Sequence, residues 1–391
     1  MSGGSPRLLR TLNERAAMEL LIEHGPSTRA ELEELTGLSK ASVAEVLRRL
    51  ETAGLVHKNG SKPSPAGPPA QLWAIQGTAS LVVGVDVTPQ AIDVAVADLA
   101  GHVLGEANVR TPKKYDAVAV LSDAVATACA AAQVTTDDID QVVIGMPGVV
   151  DPHTGQLTSV LQVPSWSGFH VLNSVQEALG IDHVRIENDV NLVALEELAQ
   201  GAATGIDTFA LLWIGEGVGA GLVLRGQLWR GATGRSGELS SVIVPDPVSR
   251  ARVYDEQGGP LDGVLDPRAL LRLAHAHDLN ARTPVDAVRT GFAEPERYSG
   301  FLDDLVARIA VALINVVGML DPELVVLGGP IGQTGGDALC DLLAQRLGGT
   351  LLARTPIVTS AVQGNPVRAG ALEFGLSFTR DRILSAGTAG R

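Results

Sequence analysis

The sequence predicts an α/β protein in two parts, a small and mainly helical N-terminal domain followed by a large α/β body. Three observations predict it. Apolar residues recur at helical spacing through the first helices, up to about Ala53. From Ser80 onward, short valine-rich runs alternate with helical segments and Gly-bearing turns. The charge divides at the same boundary: residues 1–76 hold nine Lys/Arg and eight Glu, a net of +1, whereas residues 77–391 hold 21 against 36, a net of −15. The whole-chain charge of −14 argues against a nucleic-acid binder, but its division assigns the two parts different electrostatic tasks.

At 391 residues the chain exceeds one compact core. No run of uncharged apolar residues is long enough for a membrane span, and MSGGSPRLLRTLNER turns charged before a signal-peptide core could form. Cys129 and Cys340 make no disulfide framework. A cytoplasmic protein with no membrane partner is expected.

Residues 8–24 place Leu9, Leu12, Ala16, Leu20 and Leu21 on one helical face, and Gly25-Pro26 ends that helix. Thr28-Arg29-Ala30-Glu31 has the form of a capping box opening a second helix, with Leu32 and Leu35 inward. Thr36-Gly37-Leu38-Ser39 forms a tight turn, and Ser39 caps a third helix from Lys40 to about Ala53. Its core face is Val43, Val46, Leu47 and Leu50; its other face is Lys40, Ala41, Ser42, Glu45, Arg48 and Arg49. Leu55–Lys58 and Gln71–Ile75 read as two strands joined by a Gly/Pro/Ser-rich wing. Small groups at the start of the third helix suit a major groove, and Arg48, Arg49, Lys58 and Lys62 suit phosphates. The same pattern also fits a three-helix bundle used for protein contacts. Residues 1–76 resemble a winged helix-turn-helix domain of the MarR-like kind, whose partner is a double-stranded DNA operator. A weakly basic surface implies two copies reading two half-sites.

In the body, Leu81–Val87 and Ala91–Leu99 are strands with a turn at Gly101, followed by a helix near 116–132 and a strand Gln141–Gly145. A strand His183–Ile186 precedes Asn188 and Asp189 and a helix at 192–200. Residues 302–320 form the most apolar helix, and a last helix spans about 368–385.

Six segments together resemble the ROK family (repressor, open reading frame, kinase): VVGVDV…IDVAVADLAG (83–101), GMPGVVD (145–151), VPSWSGF (163–169), ENDVNLVALEE (187–197), GEGVGAGLVLRGQLWRGATGRSGELS (215–240) and DPELVVLGGPIG (321–332). The resemblance implies a two-lobed actin/hexokinase-like fold over 77–391. Its first lobe would span about 80–187 plus helix 368–385, and its second about 188–367. A winged helix ahead of it resembles the family's transcriptional regulators.

By the same resemblance, Asp189 occupies the position of the kinase base and Asn188 a hydroxyl-binding one, while Glu238 in Gly237-Glu238-Leu239-Ser240-Ser241 falls on the sugar-binding Glu. Asn188 or Asp189 at a helix start also reads simply as an N-cap. The family's zinc motif is missing: Ser241 stands for its His, and no Cys or His lies between His183 and His275. No metal is expected. Asp255 and Glu256 read as surface charge, and Asp262 as a candidate hydroxyl acceptor. On the phosphate side, Val87-Thr88-Pro89-Gln90 replaces the glycines of the family's first turn, and Glu216 sets a carboxylate between Gly215 and Gly217. Gly328-Gly329-Pro330 keeps the third turn, where a strand-to-helix connection needs glycine anyway.

The expectation is therefore a transcriptional regulator of carbohydrate metabolism, acting as a repressor. It would sense a sugar or sugar derivative without phosphorylating it, use no cofactor, and work as a homodimer or homotetramer. The alternatives are an active ATP-dependent sugar kinase with an appended DNA-binding domain, and a regulator that answers to a protein partner.

Overall fold

The computed structural model describes residues 6–63, 68–159, 162–167, 170–242, 244, 261–348 and 354–386. The chain falls into two compact units. Unit one takes Met1–Gly145, Gln162–Ile186 and Ala371–Arg391; unit two takes Met146–Leu161 and Glu187–Gly370.

Unit one opens with α1 (Pro6–Glu23), β1 (Ser27–Thr28), α2 (Arg29–Thr36), α3 (Lys40–Thr52), β2 (Val56–Lys62) and β3 (Ala70–Ile75). The predicted capping box forms: the Glu31 amide donates to Thr28 Oγ1 at 3.3 Å and the Thr28 amide to Glu31 Oε2 at 2.7 Å. Gly37 ends α2 in the left-handed region at φ 67°, where a side chain is strained. Ser39 caps α3 by accepting from the Ser42 amide at 3.2 Å. Val43, Val46, Leu47 and Leu50 are buried as expected.

Two readings of this region need correction, and one short strand is added. Leu9, Leu12 and Leu35 lie on the surface, each about half exposed; of the expected α1 face Leu21 is buried and Ala16 and Leu20 are half-buried, and α1 also buries Glu14, Ala17 and Met18. The two-residue β1 pairs with β3 and was too short to give a periodic signal. The first wing strand reaches Lys62 through a register shift between Lys58 and Ser61, so Lys62 sits on a strand and not in a loop. Of the expected wing, residues 64–67 lie outside the described residues.

The sheet of unit one holds β4 (Leu81–Val87), β5 (Ala91–Asp98), β6 (Val103–Arg110), β7 (Ile139–Met146) and β10 (Val184–Asn188), in the order β10-β7-β4-β5-β6. Between them lie α4 (Ala117–Ala131), the short pair β8 (Val149–Val150) and β9 (Leu157–Ser159), and α5 (Val171–Leu179). β4 is antiparallel to β5 and parallel to β7. Asp116 caps α4 by accepting from the amides of Val118 and Ala119, each at 3.1 Å.

Unit two repeats the plan. It contains α6 (Asp189–Gln200), β11 (Phe209–Ile214), β12 (Val218–Leu224), β13 (Gln227–Leu228), α7 (Asp262–Leu265), α8 (Pro267–Ala276), α9 (Pro284–Ala293), α10 (Ser299–Leu320), β14 (Leu324–Gly328), α11 (Gly329–Leu347) and β15 (Ile357–Thr359). The sheet order is β13-β12-β11-β14-β15, again a meander joined to parallel strands. The apolar helix α10 contributes Phe301, Leu305, Ile309 and Leu313 to the core of this unit. A final helix, α12 (Pro366–Ala386), starts in unit two and ends in unit one. Among the described residues no helix is long and apolar enough to cross a membrane.

Candidate functional site

The polar cluster of unit two is built where β10 meets α6. The helix begins earlier than the sequence suggested, at Asp189 and not 192. Asn188 is its N-cap: Oδ1 accepts from the Asn191 amide at 3.1 Å, while Nδ2 donates to the Gly148 carbonyl at 3.1 Å. Capping therefore fixes the direction of the neighbouring Asp189, whose Oδ1 accepts from the Val190 amide at 2.9 Å.

Burial is the main force on Asp189. It raises the carboxyl to about 6; the Val190 amide pulls the other way, and the Glu238 carboxylate raises it further. Glu238 is raised as well, mainly by burial and against the opposing pull of Arg235. Asp189 thus feels the Glu238 carboxylate, and backbone packing explains why. Gly221 lies so close to α6 that a Cβ there would sit 2.6 Å from the Ala194 Cβ. Gly237, at φ +86°, crosses β12 with room for no side chain: an added Cβ would meet the Ala220 carbonyl oxygen at 1.8 Å. The Ala220 amide donates to the Gly237 carbonyl at 2.8 Å. Helix α6 and the Glu238 segment are both pressed onto β12.

A supporting network was not legible in the sequence. Glu187, only 4 % exposed, accepts from Arg230 Nε at 2.6 Å, from Asn191 Nδ2 at 2.9 Å and from the Asn188 amide at 3.0 Å. Arg230 lies 43 residues on, in the strand-to-turn segment that leads to Glu238, so no local spacing announces the pair. Asp262 opens α7, but its side chain lies outside what is described, as does that of Ser241; Asp255 and Glu256 are outside the described residues altogether.

The turns that would face phosphate in a kinase are also defined. In the first, the Thr88 amide donates to the Ala91 carbonyl at 2.9 Å. The Gln90 and Ala91 amides both donate to Thr88 Oγ1, at 3.4 and 3.1 Å. With Pro89 lacking an N–H, every amide from 88 to 91 is engaged or missing. In the second turn, the Gly215 amide is taken by the Gly217 carbonyl at 3.0 Å, and Glu216 is exposed. In the third, Gly329 at φ +77° would drive a Cβ to 2.4 Å from the Ile214 carbonyl oxygen.

On the winged helix, Lys40, Ala41 and Ser42 stand at the start of α3. Glu45 holds Arg48 through two contacts, at 2.7 and 2.9 Å, and also holds Arg49 at 3.2 Å. Arg49 Nη1 also meets the buried Glu14 at 3.1 Å, and Lys62 meets Glu31 at 2.6 Å. Lys58 pairs with Glu51 at 3.1 Å and lies over the Trp73 ring at 5.3 Å. The cations read as phosphate contacts are thus already paired within the domain. Lys62 holds Glu31 down to about 2, the largest cause being that hydrogen bond, with the capping contacts of Thr28 after it.

The model of the ROK family matches residues 82–371. The chain belongs to the ROK family. Residues 11–69 match a second model, described as the sugar-specific transcriptional regulator TrmB, where the winged helix-turn-helix domain was expected. This ROK protein is 25 % identical over 350 residues to a putative xylose repressor of Caldicellulosiruptor sp., covering 83 % of this chain and 84 % of the relative. A crystal structure of a ROK family transcriptional regulator, a homolog of the E. coli MLC protein, superposes with a TM-score of 0.75 at 21 % identity, covering 97 % of this chain and 99 % of the other. A ROK hexokinase from Thermus thermophilus superposes at 0.63 with 25 % identity, covering 77 % of this chain and 99 % of the other. The regulator aligns with nearly the whole chain, the hexokinase with about three quarters of it.

Proposed function

We propose that this ROK protein is a DNA-binding transcriptional repressor that responds to a sugar or sugar derivative without phosphorylating it. The observation that carries the reading is the joining of a capped winged helix to a ROK body in which the sugar-side polar groups and the phosphate-side turns differ in character. Asn188, Asp189 and Glu238 are oriented by capping and packing, with carboxyls raised by burial. The turn 88–91, by contrast, has no amide left for a phosphate. In this reading Asn188, Asp189, Glu238 and Asp262 take sugar hydroxyls. Lys40, Ala41, Ser42 and Glu45 face base edges at the start of α3, with Ser39 as its cap. Arg48, Lys58 and Lys62 exchange their carboxylate partners for operator phosphates, while Arg49 mainly neutralises Glu14. Two or four copies present paired winged helices, and ligand shifts the population that fits the operator. The xylose repressor among the relatives supports a sugar as the effector class.

The test is fluorescence anisotropy of the purified protein on its own promoter fragment, over a salt series and a panel of hexoses, pentoses and amino sugars. Salt-sensitive, sequence-preferring binding that one sugar weakens is the expected result; indifference to the fragment refutes the reading. One observation favours an active sugar kinase instead. A carboxyl raised to about 6 at Asp189 suits a general base. ADP release over the same panel, abolished by Asp189→Asn, would establish that alternative.

A further inference from the structure

We infer that the C-terminal helix α12 is a working part of the DNA-reading domain, positioning the winged helix from more than 300 residues away in sequence. The inference rests on the DNA-binding reading above and concerns contacts within unit one alone. The buried cluster of the winged helix, with Met18, Leu32, Leu47 and Trp73, also contains Leu99 and Leu384. Leu99 comes from the β5–β6 turn and is fully buried; Leu384 comes from the last turn of α12 and is 4 % exposed. Ile383 and Ala100 pack against the same cluster from those two elements.

Polar contacts fasten the same place. Asp381 meets Arg15 of α1 at 2.9 Å. Arg380 donates to the Leu99 carbonyl at 3.1 Å, so α12 also holds the turn that delivers Leu99. The connection out of the winged helix is clamped as well. The Gln76 amide donates to the Leu55 carbonyl at 2.8 Å, and the Leu99 amide to the Gly77 carbonyl at 3.0 Å. Gly77 lies against Asp98 so closely that a Cβ would come within 2.2 Å of its carboxylate.

A domain of about 70 residues buries a small core and is marginal alone. Two leucines donated from outside complete that core and fix its orientation together. Orientation matters because a reader of two half-sites binds tightly only when both recognition helices arrive at the spacing of the grooves. The Arg15–Asp381 pair is half exposed on both sides and contributes direction more than stability.

Full-length protein carrying Leu384→Ala, Asp381→Lys or the exchange Arg15→Glu with Asp381→Lys provides the test. The readouts are anisotropy on the promoter fragment and amide hydrogen exchange followed by mass spectrometry. Leu384→Ala is expected to speed exchange in α1 and α3 by roughly tenfold or more, to leave α10 unchanged, and to weaken promoter binding by a similar factor. Asp381→Lys adds positive charge and would strengthen DNA binding if charge alone mattered; positioning predicts a loss of a few-fold. The double exchange, with the wild-type net charge, restores it. Unchanged exchange in α1 and α3 with Leu384→Ala overturns the inference, as does wild-type promoter affinity in both single variants. If the wild-type protein ignores the promoter, the DNA-binding reading fails instead, and the exchange data alone decide whether α12 completes this core.

Discussion

Asparagine in place of Asp189 keeps the shape of the side chain and removes its charge. The Asp189 carboxyl titrates near 6 in the folded protein, against an ordinary value of 3.8 for an unperturbed aspartate, chiefly because it is buried. Below the lower value both folded and unfolded chains carry the proton, and the residue is neutral in either state. As the pH rises from 3.8 to about 6, the unfolded chain gives up its proton first, and folding loses stability throughout that window. Above about 6 the loss is complete and constant, at about 3 kcal/mol for a displacement of this size. Asp189→Asn should therefore stabilise unit two by up to about 3 kcal/mol at pH 8, by less at pH 5, and by almost nothing below pH 4.

Urea unfolding at those pH values gives the measurement, with Trp213 and Trp229 as fluorescent reporters from unit two. Glu238 adds a second mark. Its own carboxyl is raised by burial against the pull of Arg235, so it should stay raised in the variant. If the variant is no more stable than wild type at pH 8, the carboxylate is compensated by the α6 N-terminus, and the reasoning from burial is refuted. The same variant should lose sugar binding, so a gain in stability would accompany a loss of function.

Four further outcomes are expected. Arg230→Ala leaves the buried Glu187 carboxylate without its cation and should cost about 3 kcal/mol in chemical denaturation, with Arg230→Lys intermediate. Gly237→Ala forces a left-handed residue and a Cβ onto the Ala220 carbonyl, so a loss of roughly 3 kcal/mol or no folded protein is expected in expression and melting trials. Ser39→Ala removes the cap of α3 and should lower the stability of the winged helix by about 1 kcal/mol, read by exchange in α3, with weaker promoter binding. Lys62→Ala should reduce the slope of log affinity against log salt by about 1 per half-site, whereas Arg49→Ala should act mainly through stability because Arg49 neutralises Glu14.

Local pattern made part of this fold legible, and its failures share one physical cause. Val43, Val46, Leu47 and Leu50 follow the helical period, and the Thr28/Glu31 box announces the start of α2. Leu9 and Leu12 follow a helical period just as well, yet they are exposed. The small core reaches α1 only from its middle onward, and there the buried set includes Glu14, which the distant Arg49 pairs. The candidate site divides the same way. Asn188, Asp189 and Glu238 stand in recognisable segments, while Glu187 takes its meaning from Arg230 in another segment. The early start of α6 was hidden by Asp189-Val190-Asn191, residues with weak helix preference that become helical because Asn188 caps them. Leu99, at the end of a strand of the body, and Leu384, in the last helix, carry no local signal that joins them to the winged helix; the three-dimensional packing does.

Glycine and carboxylate carry opposite weights when such a body is compared with a kinase. Gly329 is demanded by its positive φ and by the Ile214 carbonyl beside it, so the third glycine turn would persist whether or not a nucleotide ever binds. Its presence says nothing about phosphate. Asp189 is the reverse case. The first helical position tolerates many side chains, and an uncharged one there would avoid about 3 kcal/mol of electrostatic cost. A buried carboxylate beside a second raised carboxylate, Glu238, is unfavourable for folding and favourable for taking hydroxyl hydrogens from a polar ligand. The turns that would face phosphate in a kinase show no comparable cost: the amides at 88–91 are satisfied internally, and Glu216 is exposed. On the proposed reading the raised Asp189 carboxyl serves to accept hydroxyl hydrogens, and what separates it from a kinase base is the turn 88–91, which offers a phosphate no backbone donor.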